Sequence, residues 1–148
     1  MNDRLIVVGV DGSEYGRRAL RWALDESART QRNVEVVIAW RPEVDMSIHS
    51  GERPGEARAR AEQIMEKEKA ALAEAEKDAS TVTWRLVEGR PAKVLTDAAK
   101  ESDLLVTGSY GHSRLRQSVL GSVSAECVRT ARCPVVVVPA PPRRGEAG

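Results

Sequence analysis

The sequence predicts an α/β fold, namely a doubly wound sheet of five parallel strands in the order 3-2-1-4-5 with helices on both faces. Short apolar runs alternate with segments of helical periodicity along the 148 residues, which is typical of repeated strand–helix units. Most of these runs are continuous, as expected for strands buried on both faces of a parallel sheet. The chain has three Trp, two Tyr and no Phe, so its core must consist mainly of Val, Leu, Ile and Ala.

The first part of the chain predicts a strand, a helix and a second strand. Residues 5–10 form an apolar run that stops at Asp11, and Ser13 is a suitable N-cap for the helix that follows. The inner face of this helix is predicted from residues at helical spacing: Ala19, Leu20, Ala23, Leu24 and Ala28. Residues 34–40 repeat the buried-strand pattern, and residues 41–55 contain two prolines and predict a loose surface loop.

The middle of the chain predicts a long helix and an edge strand. Residues 56–77 are rich in Ala, Glu, Lys and Arg, which predicts a mostly solvated helix. Its narrow apolar stripe is Ile64, Met65, Leu72 and Ala75. Residues 81–86 alternate strictly between apolar and polar, so only one face of this strand is buried and we expect it at an edge of the sheet.

The last part of the chain predicts two further strand–helix units. Pro91 opens a helix, residues 103–107 form the fourth strand, and a glycine-containing loop over residues 108–121 leads to a helix over residues 122–132. Val135–Val138 is the fifth strand. We expect residues 1–140 to form one domain and residues 141–148 to form a disordered tail.

The predicted topology places a crevice at the carboxyl ends of the first and fourth strands. Right-handed crossovers carry the first three strands in one direction, and the fourth strand then pairs on the free side of the first. The connections after these two strands leave on opposite faces, and ligands of open α/β sheets bind at such a point. The segments that meet there are residues 10–13 and residues 108–111.

The residues at this crevice suit a phosphate chain. Gly108 and Gly111 allow sharp turns and a close approach of backbone N–H groups to a ligand. Gly121 precedes the last helix, whose first N–H groups and dipole favour an anion. Ser122 and Ser124 add hydroxyl donors there. Arg114 or Arg116 could fold over the outer phosphates.

The spacing of the glycines resembles a known family motif. Gly108, two residues, Gly111, nine residues and then Gly121 with Ser122 match the G-2x-G-9x-G-[S/T] pattern of ATP-binding universal stress proteins. The resemblance extends to residues 8–13, 87–92 and 133–139, and thus to nearly the whole chain. The chain is therefore similar to the ATP-binding subtype of the universal stress protein family, the UspA family.

The resemblance implies a set of site residues. Asp11 would contact the ribose or a metal, the backbone around Ala39 and Trp40 would read the adenine, and the glycine loop would hold the phosphates. The implied nucleotide-binding residues are Gly9, Val10, Asp11, Ala39, Trp40, Thr107, Gly108, Ser109, Gly111, Arg114, Gly121, Ser122, Val123 and Ser124. The implied ligand is ATP, and a Mg²⁺ carried in with it would take most of its ligands from the phosphates and one from Asp11. For the Trp40 side chain two interpretations stay open, stacking on the base or filling space under the loop of residues 41–55.

Other classes of function receive less support. The net charge of +1 supplies no field that would gather nucleic acid or an anionic membrane, and no apolar run reaches spanning length. We therefore expect a cytoplasmic protein. No P-loop motif occurs and His112 beside Ser113 has no placed acid, so no catalytic constellation is visible and at most slow ATP hydrolysis or self-phosphorylation is expected. The alternatives to an ATP-binding stress-response regulator are a nucleotide-independent dimeric interaction module of the same fold and a cyclic AMP binder.

Two further expectations concern assembly and cysteines. The four valines of Val135–Val138 would form an uninterrupted apolar edge strand, which predicts a homodimer through antiparallel pairing of this strand. Universal stress proteins commonly dimerise in this way, so the resemblance implies the same assembly. Cys127 and Cys133 form no CxxC pair and are expected to be buried, reduced thiols.

Overall fold

Four helices and seven strands follow one another in the residues that the computed structural model describes, which are 4–42, 44–45, 50–51, 53–75, 77–78, 81–110 and 120–139. The strands are β1 (Leu5–Gly9), β2 (Asn33–Trp40), β3 (Val44–Asp45), β4 (Ser50–Gly51), β5 (Val82–Glu88), β6 (Leu104–Gly108) and β7 (Val135–Val138). The helices are α1 (Glu14–Thr30), α2 (Pro54–Glu74), α3 (Pro91–Ala98) and α4 (Ser122–Thr130).

Five of the strands form one parallel sheet in the order β5-β2-β1-β6-β7. These are the third, second, first, fourth and fifth strands expected from the sequence, so the predicted order is confirmed. In the central register Val8 of β1 lies between Val36 of β2 and Val106 of β6. The sheet therefore places the carboxyl ends of β1 and β6 side by side.

Helices cover both faces of this sheet, as predicted. One apolar cluster contains Ile6 and Val8 of β1 and residues of α1 and α2, such as Leu20 and Leu72. The other contains Val7 of β1 and residues of α3 and α4. Neighbouring residues of a strand point to opposite faces, so the continuous apolar run of β1 supplies both clusters. Because α1 and α4 pack on opposite faces, the chain leaves β1 and β6 in opposite directions and a crevice opens between their ends.

The edge position of β5 is also confirmed. Thr83 and Arg85 are exposed, while Trp84 and Leu86 are half-buried and pack on the cluster beneath α1 and α2. The strand pairs with β2 in the sheet, and the alternation in its sequence reflects one covered and one wet face.

Several local predictions were wrong. Residues 44–45 and 50–51, expected within a loose loop, pair as the antiparallel strands β3 and β4. Ala28 and Ala75 are exposed rather than buried. Ser27 takes the buried position at the end of α1 because its hydroxyl donates to the Arg32 carbonyl and thereby loses little by leaving water.

The long helix α2 is mostly exposed, as predicted, but one of its charged residues is buried. Glu68 lies on its inner face with only 2% of the residue exposed, and its Oε1 accepts a hydrogen bond of 2.9 Å from Arg17 Nε of α1. The pair raises the pKa of Arg17, first through the hydrogen bond and then through the attraction of the two charges. A charged residue thus joins the two helices inside an otherwise apolar contact.

The two cysteines are free, but only one is fully buried. Cys127 belongs to the cluster beneath α3 and α4, and burial raises the pKa of its thiol to about 11. Cys133 is half-buried, so the expectation of burial is wrong for this residue.

Among the described residues, no helix combines the length and the apolar character needed to cross a membrane.

Candidate functional site

A cavity of about 290 Å³ lies at the carboxyl ends of β1 and β6, where the topology predicts a crevice. It is bounded by the ends of three strands, the first turn of α1, and the first turns of α3 and α4. The lining residues are Gly9, Val10, Asp11, Gly16, Val37, Ala39, Pro91, Leu95, Thr107, Gly108, Tyr110, Gly121, Ser122, Val123 and Ser124.

One wall of the cavity is the N-terminus of α4. Gly121 is the N-cap residue, and because it has no side chain it makes no side-chain cap. The first bond of the helix runs from the Ala125 N–H to the Gly121 carbonyl at 3.0 Å. The N–H groups of Ser122, Val123 and Ser124 precede that bond, so this wall offers backbone donors and the positive end of a helix dipole.

Ser109 is hydrogen-bonded both to the start of α4 and to the end of β7. The Gly121 N–H donates to the Ser109 carbonyl at 2.6 Å, and the Ser109 N–H donates to the Val138 carbonyl at 3.1 Å. The Ser124 hydroxyl lies 3.0 Å from the Ser109 carbonyl and 3.1 Å from that of Gly121. Ser124 was predicted as a hydroxyl donor to a ligand, but its hydroxyl is hydrogen-bonded to these two backbone carbonyls. Its contribution to the wall is therefore its backbone.

Asp11 supplies a carboxylate to the lining. Its Oδ1 accepts the Ser13 N–H at 2.9 Å and also the Ser13 hydroxyl. The Ser13 oxygen in turn accepts the Gly16 N–H at 3.3 Å and caps α1, as predicted. The orientation of the carboxylate is therefore tied to the first turn of α1, whose Gly16 also lines the cavity.

A third part of the lining is apolar. It consists of Val37 and Ala39 of β2 together with Pro91 and Leu95 of α3. Gly9 makes room for it, because a Cβ at Gly9 would lie 2.6 Å from Leu95 Cδ1. A flat apolar ligand group would fit against this part while a charged group meets α4.

Gly108 does not make the sharp turn that was predicted for it, although it lines the cavity. Among the described glycines, only Gly12 and Gly89 have a positive φ, so Gly108 makes no turn that needs glycine. A Cβ at Gly108 would lie 2.7 Å from the Tyr15 carbonyl oxygen. The residue is small because the first turn of α1 packs directly on the end of β6.

Most of the predicted site residues that the structure describes line the cavity, and two do not. Ser109 makes backbone hydrogen bonds to Gly121 and Val138 instead. Trp40 lies on the other face of the sheet, where it packs on the cluster beneath α1 and α2 with the Arg58 guanidinium carbon 6.0 Å from its ring centroid. Its indole Nε1 is buried and has no hydrogen-bond partner among the described residues. Gly111, Arg114 and Arg116 lie outside the described residues.

The structure adds five lining residues to the predicted set of site residues: Gly16, Val37, Pro91, Leu95 and Tyr110. Of these, Tyr110 lies in the segment 108–111 that was expected at the crevice. Pro91 lies in a segment that carries the family resemblance, and Leu95 follows one helical turn later, so that segment was a usable signal. Tyr110 packs edge-to-face on Tyr15 with 5.6 Å between ring centroids. The pairing of these two rings has no signature in the sequence, since they approach only through the contact of α1 with β6.

The match to a known family is decisive. A sequence model of the Universal stress protein family matches residues 3–139. The chain belongs to the universal stress protein family. Its cavity lies between the ends of two strands of a universal stress protein domain, whose strand order is the one predicted from the sequence.

Individual universal stress proteins are similar over most of the chain. Universal stress protein Rv2623 of Mycobacterium tuberculosis is 34% identical over 134 residues, which are 89% of this chain and 44% of that protein. The chain spans about half the length of the curated relatives it matches. A solved universal stress protein in complex with cAMP is 29% identical, with a TM-score of 0.63 over 91% of this chain and 95% of that one. Universal stress protein UspA from Lactobacillus plantarum is 25% identical, with a TM-score of 0.67 over 93% of this chain and 99% of that one.

Proposed function

We propose that this universal stress protein binds an adenine nucleotide, with ATP as its ligand, in the cavity between the ends of β1 and β6. The observation that carries the proposal is the union of three surfaces in one cavity, namely an apolar wall, a carboxylate and a helix N-terminus with glycine at its N-cap. A nucleotide needs the same three partners, for its base, its ribose and its phosphates.

The proposed pose follows from the chemistry of each wall. The base lies against Val37, Ala39 and Leu95, where it loses contact with water at little cost. The Asp11 carboxylate accepts ribose hydroxyls. The phosphates meet the N–H groups at the start of α4. The domain that carries this site is proposed to be residues 1–140, with residues 141–148 outside it.

Magnesium would enter with the nucleotide. Among the described residues, no three His, Cys, Asp or Glu side chains lie close enough together to hold a metal. Asp11 is a carboxylate of the cavity lining and fits as a single ligand to a Mg²⁺ that takes its other ligands from phosphates and water.

A cyclic AMP binder is the second candidate. It is favoured by one observation, the similarity to a solved universal stress protein in complex with cAMP. The same helix N-terminus would hold the single phosphate. The two candidates differ in whether the outer phosphates of ATP add affinity.

Calorimetry with ATP, ADP, AMP and cyclic AMP tests the proposal and separates the candidates. We expect ATP to bind most tightly, and Asp11→Ala to weaken binding roughly tenfold or more because a charged hydrogen-bond acceptor is lost. The exposed Asp25, at the middle of α1, provides the matched control Asp25→Ala, whose affinity should be unchanged. The same titrations on Gly111→Ala extend the test to the predicted glycine motif.

Two outcomes would contradict the proposal. Equal binding of ATP to the wild type and to Asp11→Ala would place the site elsewhere. Purified protein that contains no nucleotide and gains no thermal stability at saturating ATP would favour the nucleotide-independent interaction module, since a ligand bound to the folded state raises stability by mass action.

We also propose that the chain forms a homodimer through the free edge of β7. The support is the composition of this edge, four consecutive valines of which Val135, Val136 and Val137 are only half-buried, and the 51% exposure of Val128 in α4, the helix that leads into β7. Apolar edge strands of this kind pair with another chain unless they are covered or charged.

A further inference from the structure

A bidentate ion pair joins α3 and α4, two neighbouring helices whose residues line the cavity. Arg90 Nη1 lies 3.1 Å from Glu126 Oε1, and Arg90 Nη2 lies 2.8 Å from Glu126 Oε2. Arg90 is the N-cap residue of α3, and Glu126 lies in the second turn of α4. Among the ion pairs of the described residues, this is the one that connects α3 to α4.

The pair lies beside the cavity. Arg90 directly precedes Pro91, which lines the apolar wall. Glu126 follows Ser122 by four residues, so the two share a face of α4, and Ser122 lines the phosphate wall. Arg90 thus directly precedes the first turn of α3, and Glu126 directly follows the first turn of α4. Both of these turns contribute residues to the lining of the cavity.

We propose that Arg90 and Glu126 are positioning residues that fix the separation of the α3 and α4 walls, and thereby set how long a bound nucleotide stays in the cavity. The inference rests on the proposed function, which it deepens by naming a control on release. Neither residue lines the cavity, so both act through the helices that they join.

Apart from this ion pair, the contact between α3 and α4 in the described part of the chain is apolar. Ala92, Leu95, Cys127 and Val123 belong to one cluster, and apolar packing is non-directional. The two parallel hydrogen bonds of a guanidinium–carboxylate fork are directional and define both distance and orientation. The hydrogen bonds of this fork also raise the pKa of Arg90 and lower that of Glu126, so both partners stay charged near neutral pH.

The position of the pair predicts sensitivity to salt. More than half of the Arg90 side chain is exposed, so dissolved ions screen the attraction. Release of nucleotide from the wild type should therefore accelerate with ionic strength more than release from a chain without the pair.

Stopped-flow measurement of ATP and AMP dissociation tests the inference. We expect Arg90→Gln and Glu126→Gln to release nucleotide roughly three- to fivefold faster at low salt, the range of a well-formed exposed pair. The exchanged pair Arg90→Glu/Glu126→Arg should return the rate to within about twofold of the wild type. Lys93→Gln is the matched control, because it removes an exposed cation of α3 whose partner, Asp97, lies on the same helix.

Hydrogen exchange without ligand gives a second readout. The Val94 and Ala125 N–H groups make the first helical bonds of α3 and α4, and they should exchange faster in Arg90→Gln but not in Lys93→Gln. Nucleotide release and exchange that match the wild type in every variant would overturn this inference while the proposed function stands. A wild type that binds neither ATP nor AMP would overturn both.

Discussion

At the scale of single residues, the glycines of the site act mainly by their small size. Gly108 admits the backbone of Tyr15, and Gly9 admits the side chain of Leu95. The two cases differ in what would have to move. A flexible leucine end can shift by a fraction of an ångström, whereas the backbone of a helix that packs on the sheet cannot do so without disturbing its other contacts.

This difference predicts the effect of Gly108→Ala. The new Cβ would lie 2.7 Å from the Tyr15 carbonyl oxygen, so we expect a loss of about 1–3 kcal/mol in the free energy of unfolding, as for other overpacked sites. The measurement is urea denaturation. Gly55→Ala is the control, because a Cβ at this α2 position meets nothing within 4 Å, and it should leave stability unchanged or slightly higher. A loss below about 0.5 kcal/mol for Gly108→Ala would show that α1 can move away from β6.

At the scale of elements, the contact between α1 and α2 contains one charged pair. Glu68 is buried, and Arg17 reaches it from a half-exposed position, with 43% of its side chain accessible. The energy of this pair is asymmetric, because removing the arginine leaves a carboxylate out of water without its partner, whereas removing both charges leaves an apolar contact.

The asymmetry predicts opposite results for single and double replacement. Arg17→Met should lower the free energy of unfolding by about 1–3 kcal/mol, less than for a fully buried pair because water still reaches the arginine. Arg17→Met/Glu68→Leu should recover most of this loss. Arg29→Met, in the last turn of the same helix, removes an exposed partner of Glu26 and should change stability by less than about 0.5 kcal/mol. Equal losses in the single and the double variant would contradict this account of the pair.

At the scale of the whole molecule, the two edges of the sheet have opposite character. The edge strand β5 exposes Thr83 and Arg85, which discourages pairing with another chain. The edge strand β7 offers only valine. A homodimer through β7 would remove that edge and leave β5 as the outer strand of each subunit.

The proposed dimer can be tested at β7 itself. Val136→Lys and Val137→Pro should convert a dimeric mass in sedimentation to a monomeric one. A charge opposes strand pairing, and the alternation of the bonds between β6 and β7 directs the Val137 N–H to the outer edge, where proline removes it. Circular dichroism must show that each variant is folded. Thr83→Lys on the other edge is the control and should leave the mass unchanged. A dimer that persists in a folded Val136→Lys variant would assign the interface to another surface.

Much of the architecture was predictable because it depends on local patterns. Continuous apolar runs identified β1 and β2 as strands buried on both faces, and the alternating run identified β5 as an edge strand. Right-handed crossovers then allowed only one strand order for the sheet. The position of the cavity followed from that order. The position of the Trp40 side chain was also predictable. The two-residue period of a strand requires Ala39 and Trp40 to face opposite sides of the sheet, so only one of these side chains can line the cavity.

The sequence by itself determined the strand order and the crevice at the ends of β1 and β6, because periodicity and turn residues are written in short stretches of chain. It also predicts backbone donors at the start of α4. Only the tertiary structure decided that Pro91 and Leu95 complete the apolar wall, that Gly108 serves helix packing, and that Arg90 meets Glu126. These contacts join segments that are distant along the chain, and they depend on how far each helix reaches over the sheet, a distance set by the sum of all packing contacts rather than by any local pattern.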